Sequence, residues 1–399
     1  MPGWLVLLGA LTALGPLSID MYLPGFPSMA ESLHTSRGAV ERTLAVFFIG
    51  LALGQLIGGP VSDRFGRKPP LYAGLTLYCI ASLGCAQTES IAMLTVWRFL
   101  QAFGGSFGMV ISRAVIRDRT TLQESARAFS LLMLVMGLAP ILAPMLGSAL
   151  LQWTGWRGIF LVLAAFSAVC GLAVHWTMNE SLSPAHVRPL SPGHVLRGYG
   201  ALLGHPQFMA YALSGSVALA GMFAYVAGSP YVLIEYYGVS PGAYGALFGL
   251  NAIGLIGAAQ INARLLRRRA TSDVLNLSIW GPVLPMVVAL GLVLSGNDTL
   301  PSFMACLFCF TSSIGFIGPN TAAIALSGQG EHAGAASALL GAIQFSLGTL
   351  AGATLSVWHH PSPLPLAGVM AGCGASACVV YLLFARRHAP NLHPRPVLR

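Results

Sequence analysis

Charge is what this chain has least of. Asp, Glu, Lys and Arg make up 8% of its 399 residues, where a water-soluble domain carries about 25%. Apolar residues reach 55% and the mean hydropathy is +0.72, so a soluble globular protein is excluded. Acidic residues are scarcer than basic ones, 12 against 21, which leaves a net charge of +9. Clustered cysteine is missing too. Cys79, Cys85, Cys170, Cys306, Cys309, Cys373 and Cys378 all fall in apolar stretches, where a thiol behaves as a small hydrophobe. Cys306 and Cys309 have metal or redox spacing, but no second pair or nearby His completes it. No metal is expected, and no cofactor beyond a coupling proton. The start of the chain also lacks the basic leader and small-residue cleavage site of a secretory signal.

What is present is a series of apolar runs of the length that crosses a bilayer, about 20 residues of helix. The backbone in a membrane must satisfy its own hydrogen bonds, so such runs read as helices. Twelve can be drawn, over residues 4–26, 42–62, 70–87, 90–113, 126–151, 156–177, 206–232, 241–262, 272–295, 300–321, 333–357 and 364–385. The expected fold is an all-α integral membrane protein. The longest polar stretch, 179–205, has six spans on each side. The chain is therefore read as an N-terminal bundle (1–178), a linker (179–205) and a C-terminal bundle with a short tail (206–399). With the N-terminus inside, 17 of the 21 Lys and Arg residues are cytoplasmic; Arg37, Arg42 and Arg157 face outward, and Arg98 lies within a span. Positive residues favour the inner side, so both termini are expected in the cytoplasm. The basic charge then lies at lipid headgroups and requires no nucleic-acid partner.

Asp20, in Pro16-Leu-Ser-Ile-Asp-Met-Tyr-Leu-Pro24, is the one acid placed well inside a span. An ionised carboxylate there costs roughly 2.5–3.5 kcal/mol, which favours a functional role over the alternative of a buried structural Asp satisfied by a neighbour. Arg98 facing lipid would be as expensive, so it should point into the bundle. At about 1.5 Å per residue the two differ in depth by roughly 6 Å, much of which an Arg side chain can cover. Tyr22, Gln101, Phe223, Tyr225, Asn251, Asn320 and Gln344 are polar or aromatic residues on spans, placed either to touch a small-molecule substrate or to line the core. Gly50, Gly54 and Gly58, like Gly341, Gly348 and Gly352, give their helices a small face for close packing. Gly137, Pro140, Pro144 and Gly147 should bend the fifth span, since each proline removes a backbone donor.

Gly59-Pro-Val-Ser-Asp63-Arg64-Phe-Gly66-Arg67-Lys68 resembles the signature between helices 2 and 3 of the major facilitator superfamily, Gly-x-x-x-Asp-Arg-x-Gly-Arg-Lys/Arg. Arg98-Phe-Leu-Gln101-Ala-Phe-Gly104-Gly105 resembles the family's fourth-helix element, with Ala102 where Gly is usual. Arg113-Ala-Val-Ile-Arg117-Asp118 is similar to the drug-exporter branch, and the fifth-span Gly/Pro pattern to the antiporter element. Asn320 and Gly334-Ala-Ala-Ser-Ala-Leu-Leu-Gly341-Ala-Ile-Gln344 resemble the bicyclomycin/chloramphenicol-resistance subgroup (Bcr/CflA). The resemblance implies twelve helices in two pseudo-symmetric six-helix bundles. It also implies a conformational latch made of Gly59, Asp63, Arg64, Gly66, Arg67 and Lys68 with Arg117 and Asp118, in which Asp63 meets the start of the eleventh helix near Gly334. The matching place in the second half, Gln260 to Arg269, is basic but lacks the carboxylate.

These readings converge on proton-coupled efflux of amphipathic drugs across the bacterial inner membrane by a monomer. Burial favours the neutral carboxylic acid and a nearby cation the carboxylate. Asp20 would thus take a proton outside and release it inside, with Arg98 favouring the charged form. A passive facilitator or importer is the rival on the same fold. A membrane hydrolase is the rival from another class, because Gly104-Gly-Ser106-Phe-Gly108 matches Gly-x-Ser-x-Gly. That motif requires a strand-to-helix elbow, and here it falls in an apolar span. His359-His360 has no neighbouring carboxylate or cysteine with which to hold a metal.

Overall fold

The computed structural model describes residues 3–119, 122–182, 192–266, 268–327, 333–358 and 361–386, and every regular element among them is helical. Eleven helices in the described residues are long and apolar enough to cross a membrane. The chain forms two compact units, one of Met1–Arg197 with Ser240–Ala246, the other of Gly198–Val239 with Leu247–Arg399.

The first unit contains α1 (Gly3–Asp20), α2 (Phe26–Ser32), α3 (Arg37–Phe65), α4 (Lys68–Gln87), α5 (Ile91–Arg119) and α6 (Leu122–Thr177). The sequence predicts one continuous helix over 4–26. Instead α1 stops at Asp20 and a short 3-10 turn, Leu23–Gly25, leads into α2. Pro24 explains the stop: it has no N–H to give the Asp20 carbonyl four residues back. α3 starts where the Ser36 side chain accepts from Ala39 N at 3.3 Å, a standard N-cap. α5 is central, packed on α1, α3 and α4. Glycines allow the backbones to meet: a Cβ on Gly50 would lie 2.5 Å from Phe99 O, and one on Gly104 2.5 Å from Gly74 O. Gly58 meets only ordinary contacts. Gly104 and Ser106 lie inside α5, and the Ser106 hydroxyl donates to Phe103 O at 2.7 Å, so this stretch is helix and no nucleophile elbow.

α6 runs through the fifth and sixth expected spans. Its backbone stays helical past both proline positions and breaks only at Gly155, with φ 67° and ψ −177°. The corner is therefore set by a glycine and not by Pro144. The side chains of Arg117 and Pro140, with Gly137 and Gly334, lie outside the described residues, as do 183–191, His359-His360 and the chain beyond Arg386.

A helix the sequence did not predict, α7 (Pro192–Leu203), occupies part of the expected linker. The second unit then holds α8 (Pro206–Pro230), α9 (Pro241–Leu265) from Leu247 onward, α10 (Thr271–Ser278), α11 (Val283–Leu294), α12 (Leu300–Leu326), α13 (Ala333–Val357) and α14 (Leu364–Val380). α8 is its centre, packed on α12, α13 and α14. His205 caps α8 by accepting from Phe208 N at 3.2 Å, and Thr299 with Ser302 forms a capping box on α12. A π-helical turn, Tyr231–Tyr236, carries the α8 span past its expected end and adds Glu235 to its last turn. The expected span 272–295 is split into α10 and α11 around Gly281-Pro282.

At φ 67° and ψ −177°, Gly155 occupies backbone space essentially reserved for glycine, although a Cβ there would meet nothing within 4 Å. Gly155→Ala should therefore destabilise the protein by about 1–3 kcal/mol through the backbone alone. Gly171→Ala, also with no neighbour within 4 Å but in helical conformation, should be neutral or slightly stabilising. Unfolding midpoints of the purified protein in detergent separate the two; equal midpoints would refute the assignment of the corner to backbone strain.

Candidate functional site

The last four carbonyls of a helix lack intrahelical partners. Because α1 ends at Asp20, Ser18 O is one of these. Arg98, on α5 and 0% exposed, donates to it through Nη1 at 3.0 Å. The same nitrogen donates to Gln101 Oε1 at 2.7 Å, and Gln101 Nε2 donates to Ser82 Oγ of α4 at 2.8 Å. The guanidinium lies 4.3 Å from the Tyr22 ring centroid and 4.1 Å from that of Phe47, with Phe160 at 5.8 Å. Cation–π attraction is strongest when desolvated in this way. Tyr22 OH bonds Thr43 Oγ1 of α3 at 2.5 Å, and Ser18 Oγ bonds Tyr78 OH of α4. Gly147 of α6 completes the surround, since a Cβ there would collide with Met21 O. The end of α1 is thus held by α3, α4, α5 and α6 together.

Asp20 is buried here, 5% exposed. Arg98 does not pair with it: among the described residues no ion pair joins the two, whereas Arg67 pairs with Asp63 and Asp118. The sequence places the two charges at similar depth. The structure shows that Arg98 instead takes the carbonyl two residues earlier, the acceptor that the helix end supplies. Two of its donors, Nε and Nη2, are buried without a partner. Gln101 is equally committed, with both ends of its amide used inside the unit, so its geometry is that of a group positioning Arg98.

At the end of this unit that carries the α3–α4 turn, Arg67 is 1% exposed and uses every nitrogen. Nε donates to Asp118 Oδ2 at 2.7 Å, Nη2 to Asp118 Oδ1 at 3.3 Å, and Nη1 to Asp63 Oδ1 at 2.6 Å and Ser62 Oγ at 2.8 Å. Burial opposes the Arg67 charge, but the Asp118 and Asp63 carboxylates outweigh it and hold its pKa above the ordinary value. Asp63 is thus engaged within its own loop. Arg64 is exposed, and a Cβ on Gly59 would touch only Val110 at 3.9 Å, so neither is fixed by this cluster. Gly66 has φ 87°, and its missing Cβ leaves room for Glu180. That carboxylate, just beyond α6, accepts from Arg67 N at 2.9 Å and Lys68 N at 3.1 Å, capping the start of α4. Sequence reasoning missed Glu180, although it is the first acid after the sixth apolar run. Tyr78 and Ser82 were missed as well; their four-residue spacing on an apolar helix was the available signal.

In the second unit the candidates fall into separate pairs. Asn320 and Asn262 exchange amide hydrogen bonds at 2.9 and 3.3 Å, joining α12 to α9. Asn251 Nδ2 donates to Tyr225 OH at 2.8 Å, and the Tyr225 ring stacks on Phe248 at 5.2 Å. Phe223 stacks on Phe345 at 5.4 Å, and Gln344 is half-buried beside it in sequence.

Partial burial raises the Glu180 carboxyl pKa, but backbone N–H donors from Arg67, Leu182, Lys68 and Ser181 outweigh it and hold it below the ordinary value. A depressed carboxylate pKa adds stability above the unfolded-state value and loses it as the pH falls through the folded one. Glu180→Gln should therefore lower the melting point at neutral pH by an amount worth about 0.5–1 kcal/mol for this half-exposed group. The gap to wild type should close on the acid side of the ordinary Glu range; a gap independent of pH would show that the charge contributes nothing.

Comparison with known proteins matches this arrangement to one family. The sequence profile described as Major Facilitator Superfamily matches residues 8–353. An uncharacterised transporter of this type from Bacillus subtilis, YdgK, is 37% identical over 91% of this chain and 90% of its own length. A bicyclomycin resistance protein homolog from Haemophilus influenzae is 28% identical over 96% of each chain. A solved D-xylose-proton symporter superposes with a TM-score of 0.74 at 15% identity, over 96% of this chain and 97% of that one, a likeness of fold alone. The chain is a transporter of the Major Facilitator Superfamily, and its drug-resistance relatives support the bicyclomycin/chloramphenicol-resistance (Bcr/CflA) subgroup.

Proposed function

We propose that the protein exports amphipathic, drug-like molecules across the bacterial inner membrane in exchange for protons, with Asp20 as the titrating carboxylate. The observation that carries this reading is Asp20, buried at the end of α1 two residues from the Ser18 carbonyl that holds a buried guanidinium with two free donors. Ionised, Asp20 offers Nε and Nη2 of Arg98 an anion to move toward; protonated, it does not. Any such movement pulls on the end of α1, where Thr43, Tyr78 and Gly147 meet it, so protonation is converted into helix displacement. Twelve crossings are obtained if Gly155 forms the corner between the fifth and sixth, and transport would proceed by alternating access. The membrane potential adds about 2.3 kcal/mol per charge per 100 mV to drive the exchange.

The Arg67 cluster with Asp63, Asp118 and Glu180 would be a hinge or latch at the cytoplasmic face, in the orientation set by the arginines. Candidate substrate contacts within the second unit are Phe223, Tyr225, Asn251 and Gln344. This is an aromatic lining with few polar anchors, which suits amphipathic compounds better than sugars. Nothing in the chemistry of these residues calls for a metal or a second subunit. Asp20→Asn should abolish drug-driven proton movement in everted vesicles, and Asp20→Glu should retain part of it. Undiminished exchange in Asp20→Asn would overturn the assignment, and transport unaffected by collapse of the pH gradient would favour a passive facilitator.

A further inference from the structure

α9 has two faces. Phe248, Asn251 and Asn262 are buried on one, and the Asn262–Asn320 amide pair fastens that side to α12. The other carries Leu250, Ile253 and Ile261, all exposed, and at helical spacing it continues into Arg264 in the last turn. Beyond the turn, α10 and α11 present a second exposed apolar wall that includes Leu277, 82% exposed, Trp280 and Leu284. This span is the least buried of the membrane-crossing helices, 22% within the protein, as expected of a helix that faces lipid. The two walls meet at the turn that carries Arg268 and Arg269, whose backbone N–H groups both bond Leu265 O at 2.9 Å. Arg386 stands at the same end of the unit, because Tyr381 OH at the foot of α14 donates to Asn276 Oδ1 of α10 at 3.0 Å.

Arg264, Arg268, Arg269 and Arg386 are all exposed, and among the described residues none forms an ion pair. Asp273, in the first turn of α10, is the one acid close by and pairs with none of them. Apolar walls that end in uncompensated arginines match the outline of a phospholipid: acyl chains on the walls and phosphate on the guanidinium forks. We propose that the α9–α10 turn of the second unit is a binding site for the headgroup of an anionic phospholipid. Cardiolipin fits best, because its two phosphates can be shared among several arginines. The site stands whether or not Asp20 couples protons.

The test uses the full-length protein in detergent, with native mass spectrometry reading the lipid retained after addition of cardiolipin or of phosphatidylcholine. Wild type should retain cardiolipin over phosphatidylcholine, with a roughly five-fold loss for each arginine removed in Arg264→Gln, Arg268→Gln and Arg269→Gln. Arg42→Gln, exposed on the first unit, should match wild type. Circular dichroism of each single variant confirms that it is folded. Equal retention in the triple variant, or displacement of cardiolipin by the same concentration of inorganic phosphate, would overturn the proposal.

Discussion

A guanidinium shut away from bulk solvent must find its partners among helices, and Arg98 finds only some of them. Its Nη1 draws on Ser18 O and Gln101, and three aromatic rings cover its faces, yet Nε and Nη2 stay unpaired. Leaving a buried polar group without a partner costs about 1–3 kcal/mol, and more for a charged one. The neighbouring structure is arranged around that cost. α1 stops at Asp20 and so frees the Ser18 carbonyl; Gln101 is itself held by Ser82; Tyr22 is held by Thr43. Helices α3, α4, α5 and α6 therefore meet α1 at one point, and any change in the charge felt by Arg98 is felt by all of them.

The same unit has a second buried arginine with the opposite bookkeeping. Arg67 is saturated by Asp63, Asp118 and Ser62, and its turn is capped by Glu180. One partner truncated there leaves others in place, whereas Arg98 has no carboxylate in contact at all. A saturated cluster fixes a geometry, and an unsaturated one can respond to a new charge. That difference, and not depth in the membrane, separates the two arginines physically.

The helical membrane class was legible from composition and run length, because the cost of an unpaired backbone group in lipid leaves so few alternatives. The burial of Asp20 and Arg98 was legible for the same reason, since a charge facing lipid is expensive. What the runs could not reveal were their interruptions. Pro24 ending α1, Gly155 turning α6 and Pro282 dividing the ninth run are single residues whose effect depends on whether neighbours replace the lost backbone bond. The partner of Arg98 was misplaced because depth along a helix says nothing about which carbonyl a helix end sets free. Glu180 was missed because its partners are backbone N–H groups of a turn more than a hundred residues away, and backbone donors leave no mark in a sequence.

The second unit joins α9 to its neighbours without charge. The Asn262–Asn320 exchange and the Asn251–Tyr225 bond are each neutral, and each links a helix to α9. Neutral amide pairs need no counter-ion, and exchanging one such bond for one to a ligand hydroxyl or carbonyl changes little of a net contribution of about 0.5–1.5 kcal/mol. A transporter that placed its coupling charge in both halves would have to compensate two buried ions in every conformation. Under the proposed exchange, an ion confined to the first unit would leave the second to accept ligands by shape and aromatic contact.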